Sequence, residues 1–171
     1  MTKRTVFLPL LLISILLAGC SGGPAGMPPL FPCSITVTQE GVPLEGAVVR
    51  MVNLSDEAIG MAWTPIATTD ANGVARMMTN AQYDGVAAGK YRIVVEKFES
   101  EPSRLGPPPP VDSPEYEAWS HRSAAETRAQ YALVNSRYSS SNSPHEVEIT
   151  RGGRGANDHT IDVGVPVRVR Q

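Results

Sequence analysis

Residues 66–97, IATTDANGVARMMTNAQYDGVAAGKYRIVVEK, carry the pattern that decides the fold. Thr68 and Thr69 close one extended run. Asp70-Ala71-Asn72-Gly73 then has turn chemistry: Asp and Asn bond nearby backbone, and Gly accepts positive φ. Val74, Arg76 and Met78 alternate with Ala75, Met77 and Thr79, as a strand with two unlike faces requires. Asp84-Gly85 and Ala88-Gly89 punctuate the chain again. Tyr91, Ile93 and Val95 share one face of the next strand, with Arg92, Val94 and Glu96 on the other. Strand, turn, strand, loop, strand is the rhythm of a β-sandwich, and it carries no chemistry of its own.

Working outward, residues 33–38 alternate cleanly, with Cys33, Ile35 and Val37 expected inward. Residues 47–52 repeat the pattern with Ala47, Val49 and Met51. Residues 61–69 read as extended, with Pro65 marking an edge or a bulge. Downstream, Val147 and Ile149 alternate with Glu146 and Glu148. Residues 151–157 (RGGRGAN) read as a glycine-rich turn that pairs 145–150 with 159–163 as a closing hairpin. Residues 164–171 either extend an edge strand or trail free.

Between these lies an insert at 98–144. Pro107 to Pro110 favour a stiff polyproline II spacer. Ser113-Pro114-Glu115 is a helix start, with a capping serine, proline in the first turn and acids after it. The spacing predicts a surface helix over 115–133. Tyr116 and Trp119 lie one turn apart on it, either docking the helix on the sandwich or forming a platform for a peptide or glycan. Residues 135–144 (NSRYSSSNSP) read as a loop.

The N-terminus has its own logic. Lys3 and Arg4 precede an apolar run over 6–17, too short to span a bilayer, which takes roughly 20 residues. The run ends Leu17-Ala18-Gly19-Cys20, followed by the Gly- and Pro-rich residues 21–32. The Leu-Ala-Gly-Cys order resembles the bacterial lipobox. That resemblance implies a signal peptide over 1–19, a lipid anchor on Cys20 and a flexible tether over 20–32. It also implies a bacterial cell-envelope location, at the outer membrane or the outer leaflet of the inner membrane, with the domain facing the periplasm or exterior. Loss of Lys3 and Arg4 moves the net charge from −2 to −4. A nucleic-acid binder usually leaves a basic footprint, so no nucleic-acid partner is expected. With Cys20 spent on lipid, Cys33 is a lone thiol: a buried apolar residue, or a handle for an intermolecular disulfide.

Four pieces now stand in one order: the 33–38 strand, Gly41-Val42-Pro43-Leu44-Glu45-Gly46-Ala47, Thr68-Thr69-Asp70-Ala71-Asn72-Gly73 and Gly89-Lys90-Tyr91-Arg92-Ile93-Val94-Val95. Together they resemble the carboxypeptidase regulatory-like domain, also called transthyretin-like or prealbumin-like, and are similar to small lipoproteins of planctomycete-type bacteria. The resemblance implies an all-β, antiparallel sandwich of about seven strands over 33–171, interrupted by the helix-containing insert. Arg137-Tyr138 matches a Lys/Arg-Tyr segment of those lipoproteins, although a serine run replaces its usual acidic and proline neighbours. One transthyretin-like branch is enzymatic, the hydroxyisourate hydrolases, which end in Tyr-Arg-Gly-Ser and use early His and Arg residues. This chain ends Arg168-Val169-Arg170-Gln171 and has no His before His121.

Candidate chemistry is thin. His145 and His159, expected on adjacent strands with Glu146, Glu148 and Asp158 nearby, are the best metal or hydrolytic constellation, but strand alternation turns the acids away from the His145 face. Asp70-x-Asn72-Gly73 has the start of a calcium loop, yet its twelfth position is Ala81, which cannot ligate. Arg151-Gly152-Gly153-Arg154-Gly155 offers backbone amides to a phosphate but is no GxxxxGK loop. No residue is therefore assigned a catalytic, cofactor-binding or metal role. The expectation is a non-catalytic binding or envelope-structural module whose partners are the membrane, through Cys20, and an envelope protein, peptide or glycan.

Overall fold

The computed structural model describes residues 24–55 and 62–171. The segment 1–19 expected as a signal peptide and Cys20 lie outside the described residues, as does Met61 at the start of the 61–69 run. Fifteen short strand segments and one helix are described. They are β1 (Leu30–Phe31), β2 (Ser34–Gln39), β3 (Val42–Pro43), β4 (Val48–Asn53), β5 (Pro65–Thr68), β6 (Val74–Arg76), β7 (Met78–Thr79), β8 (Tyr83–Asp84), β9 (Val86–Ala87), β10 (Gly89–Glu96), β11 (Phe98–Ser100), α1 (Pro114–Ala125), β12 (Gln130–Ala132), β13 (Glu146–Ile149), β14 (Asp158–Asp162) and β15 (Val169–Arg170).

The architecture is an all-β sandwich. The larger sheet has the order β13-β10-β4-β5-β7-β8. In the smaller one β2 is central, with β14 on one flank and β6 and β3 on the other. Between the layers sits one core: Cys33, Ile35 and Val37 from β2 and its approach, Val49 and Met51 from β4, Tyr91, Ile93 and Val95 from β10, and Ile161 and Val163 at the β14 end. The inward sets are those expected from the two-residue alternation, because burying one face rules out a one-residue slip of register. Two smaller sheets complete the fold. β1 pairs β9, fixing the end of the tether, and β11, β12 and β15 form a three-stranded sheet beyond the sandwich.

Three expectations are corrected. First, residues 145–150 and 159–163 form no closing hairpin. β13 runs antiparallel to β10, whereas β14 runs parallel to β2, so the glycine-rich turn carries the chain from one sheet to the other. Asn157 enforces this. Its Oδ1 accepts from the Thr150 backbone N–H at 2.9 Å, its Nδ2 donates to the Pro32 and Thr150 carbonyls, and its own carbonyl accepts from the N–H of Ser34. The sandwich is thus not wholly antiparallel.

Second, the Asp70–Gly73 turn joins strands of different sheets. β5 pairs β4 and β7, while β6 pairs β2. The turn chemistry itself is as expected: Asp70 Oδ1 accepts from the N–H groups of Asn72 and Val74. Gly73 has φ +74°, and a Cβ there would stand 2.5 Å from the Val37 carbonyl oxygen, so both conformation and space demand glycine. Pro65 marks no edge, since β5 lies between β4 and β7; it opens the strand, a position where proline is tolerated.

Third, the helix stops at Ala125. Glu126 leaves the helical region, and Gln130–Ala132 is recruited into β12 against β11. Tyr131 makes the difference: its hydroxyl donates to Glu101 at 2.9 Å, and the Arg168 guanidinium lies 3.7 Å from its ring centroid. Ser113 occupies the N-cap position but makes no side-chain cap bond. Tyr116 and Trp119 stack on each other, centroids 6.2 Å apart, yet no residue of α1 is fully buried, so the helix adds nothing to the core.

Residues 135–144 form a loop of turns and bends, as expected, and it packs on the sandwich. Val134 is in the core, Tyr138 packs against it, and the Val95 N–H donates to the Tyr138 carbonyl at 2.9 Å. The last part of the insert therefore belongs to the sandwich. β15 pairs β12, so the C-terminal run extends an edge.

Candidate functional site

The alternating carboxylates and histidines of the closing strands are the natural place to look for chemistry, and the fold disperses them. Glu146 is bound to the Arg92 guanidinium. Asp158 Oδ1 accepts from the Ser34 hydroxyl. His145 directly precedes β13 of the large sheet, and His159 lies on β14 of the small one. The His145 ring stacks on Tyr138 (centroids 5.4 Å apart), and its Nε2 lies 2.9 Å from the Asp162 carbonyl oxygen. A carbonyl only accepts, so Nε2 carries the proton and has no lone pair to offer a metal. Among the described residues, no three His, Cys, Asp or Glu side chains come together as a cation site.

Cys33 lies under the small sheet and is 7 % exposed. Burial, and then the nearby Asp158 charge, push its thiol up to about 12. At neutral pH it is a thiol rather than a thiolate, and a poor nucleophile. Asp162 is the opposite case. It accepts from the Gly41 N–H, the Thr38 hydroxyl and the Gly164 N–H, which together hold its carboxyl below the usual range. Its partners lie on the turn after β2 and on the chain after β14, so its work is to clamp that corner. Glu126 does the same for the insert, held below the usual range by the Arg104 N–H and the Ser103 hydroxyl.

One concavity stands out at the end of the small sheet. It holds about 550 Å³ and opens where β2 and β14 begin and β6 ends. Pro32, Cys33 and Met77 form apolar wall, Ser34 and Gly155 supply polar edges, and four charged side chains line it: Arg76, Arg154, Asp84 and Asp158. Register brings them together, because Ser34 is flanked by Arg76 of β6 and by Asp158 of β14. Pro32, where the tether runs into β2, is part of the rim. The glycine-rich turn considered as a phosphate cradle contributes Arg154. The missing signal was the pairing of β6, β2 and β14, which no local pattern reveals.

No protein-family profile and no curated protein matches the chain. Among solved structures, the chain is similar to a 5-hydroxyisourate hydrolase of Klebsiella pneumoniae at 18% identity and a TM-score of 0.32, over 83% of this chain and 99% of that one. Among the described residues, no helix is long and apolar enough to cross a membrane.

Proposed function

We propose that this chain is an extracytoplasmic lipoprotein of the carboxypeptidase regulatory-like, transthyretin-like kind, held to a bacterial envelope membrane by acyl chains on Cys20. Its sandwich is a non-catalytic binding or envelope-structural module. The observation that carries the reading is the continuity of anchor and domain. The Leu17-Ala18-Gly19-Cys20 order is followed by a Gly- and Pro-rich tether, whose far end is pinned as β1 against β9. Two or more acyl chains give firm attachment where one gives only a marginal hold. The four sequence pieces of the resemblance also fall on successive parts of a single sandwich: β2, the turn into β4, the turn between β5 and β6, and β10. Supporting the non-catalytic part, the groups best suited to chemistry are engaged in holding the fold: His145 with Asp162, Glu146 with Arg92, and Cys33 in the core.

Metabolic acyl labelling of wild type against Cys20→Ala tests the anchor. Label on the wild type alone is the expected result, and label on both or neither overturns it. Pull-down from envelope extract with the membrane-extracted protein tests the binding role. Metal analysis of the same preparation tests the competing reading through His145 and His159, and stoichiometric metal lost in a His159→Ala variant would establish it.

A further inference from the structure

Arg50, Arg92, Arg128 and Arg168 each face a carboxylate within 4 Å. Arg76 and Arg154, like Arg104, Arg151 and Arg170, have no ion pair and no side-chain hydrogen bond among the described residues, but they lie exposed in the groove at the start of β2 and β14. The groove's two carboxylates, Asp84 and Asp158, lie beyond ion-pair distance of them. Among the described residues Asp84 has no side-chain partner, and Asp158 uses one oxygen on Ser34. Two cations and two anions thus line one concavity without neutralising each other.

That charge pattern selects a class of ligand. A simple anion would be drawn to the guanidiniums and repelled by the carboxylates, and a simple cation the reverse. A compact zwitterion satisfies both. Guanidinium forks match phosphate oxygens in bidentate fashion, and a primary ammonium supplies three donors to carboxylates. A quaternary ammonium donates nothing and is held by aromatic faces, whereas none of the residues lining this groove is aromatic. The position then selects the source. Pro32 lines the groove and joins β1 to the start of β2, so the groove opens where the chain enters the sandwich from its N-terminal side.

We propose that this groove seats the phosphoethanolamine headgroup of a membrane lipid, with Arg76 and Arg154 on the phosphate and Asp84 and Asp158 on the ammonium. The lipid source rests on the membrane-anchored reading above; the headgroup chemistry does not. Docking of the headgroup orients the sandwich, with the groove toward the bilayer and the β11-β12-β15 sheet free for other contacts.

The test uses the full chain in maltoside micelles, with backbone amide shifts of Ser34, Gly85 and Gly155 as readout. O-Phosphorylethanolamine is expected to give saturable shifts, and phosphorylcholine or inorganic phosphate to bind at least about fivefold more weakly. Arg76→Gln and Arg154→Gln should each weaken binding by about fivefold or more. Asp84→Asn should erase the preference for ethanolamine over choline. All three positions are exposed, so unchanged thermal transitions verify folding. Micelles doped with phosphatidylethanolamine should shift the same amides in wild type and not in the arginine variants. Absence of saturation, or equal response to all three soluble probes, overturns the site. A response to the free headgroup but not to the doped micelles overturns the lipid assignment. Unacylated Cys20 would sink the anchor, while the titration with soluble headgroup would still decide the groove.

Discussion

Asn157 bonds Thr150 at both ends of that residue's peptide backbone, accepting from its N–H and donating to its carbonyl. Thr150 directly follows β13, the large sheet's edge strand, and Asn157 directly precedes β14 of the small sheet. The pair therefore makes one corner of the sandwich a hydrogen-bonded joint. At the opposite end of the same seam, His145 donates to the Asp162 carbonyl.

Replacing the buried Asn157 with Ala strips partners from the Thr150 N–H and the Pro32 carbonyl in a part-buried setting, while the Thr150 carbonyl keeps the Gly152 N–H. Leaving buried polar groups unsatisfied costs roughly 1–3 kcal/mol each, partly recovered where water enters. The expected loss is ~2 kcal/mol, measured by urea unfolding. A loss below ~1 kcal/mol would show that the joint is not structural.

Asp162 gives the acid limb of stability a local cause. Its carboxyl is held below its ordinary value by the Gly41 N–H first, then the Thr38 hydroxyl and the Gly164 N–H. A lowered folded-state pKa means the contribution is complete above the unfolded value, near ~3.9, and is lost as pH falls through the folded one. Asp162→Asn should therefore flatten the decline of melting temperature below about pH 4 relative to wild type. Parallel pH curves for the two proteins would refute this.

Glycine is required at one turn and dispensable at another. Gly73→Ala must place a methyl 2.5 Å from the Val37 oxygen at φ +74°, with an expected cost of roughly 2–3 kcal/mol. Gly153→Ala meets nothing within 4 Å at an ordinary φ and should change stability by less than ~0.5 kcal/mol. Calorimetry of both variants checks the contrast.

A thiol pushed up to about 12 is inert until it is exposed. Iodoacetamide labelling of Cys33 at pH 8 should follow the unfolded fraction across a urea titration, and non-reducing gels should show no disulfide-linked dimer. Fast labelling of the native protein would mean that the strand breathes.

The insert divides at its narrowest point, where the Glu101 N–H meets the Ala129 carbonyl. Replacing residues 102–128 by a short Gly-Ser turn should leave the thermal transition within a few degrees of wild type. Deleting 98–144 also removes Val134 and Tyr138 from the core and its edge, and should abolish the cooperative transition. Equal stability of the two deletions would contradict the assignment.

What could be read from the chain alone follows a physical divide. Cys33, Ile35, Val37, Val49, Met51, Tyr91, Ile93 and Val95 were legible as core because one-sided burial imposes a two-residue period on the sequence itself. Which strand neighbours which has no such local trace. β13 and β14 look like a hairpin, and only the buried Asn157, outwardly one more polar residue in a glycine-rich turn, separates them. The helix end at Ala125 was hidden for a similar reason. No Gly or Pro marks it, and the contacts that pull Tyr131 into a strand come from Glu101 and Arg168, far away in sequence. The groove is still less legible, because Arg76 and Arg154 meet only through strand pairing.

The parallel pairing of β14 with β2 has a consequence for the nascent chain. Ser34 must wait for Asp158, 124 residues later, before the central strand of the small sheet gains a neighbour on its second flank. Until then one flank of that strand is a row of open amides and carbonyls, a template for pairing with another molecule. Products truncated before residue 158 would keep nearly all the hydrophobic segments and lack the strand that seals them.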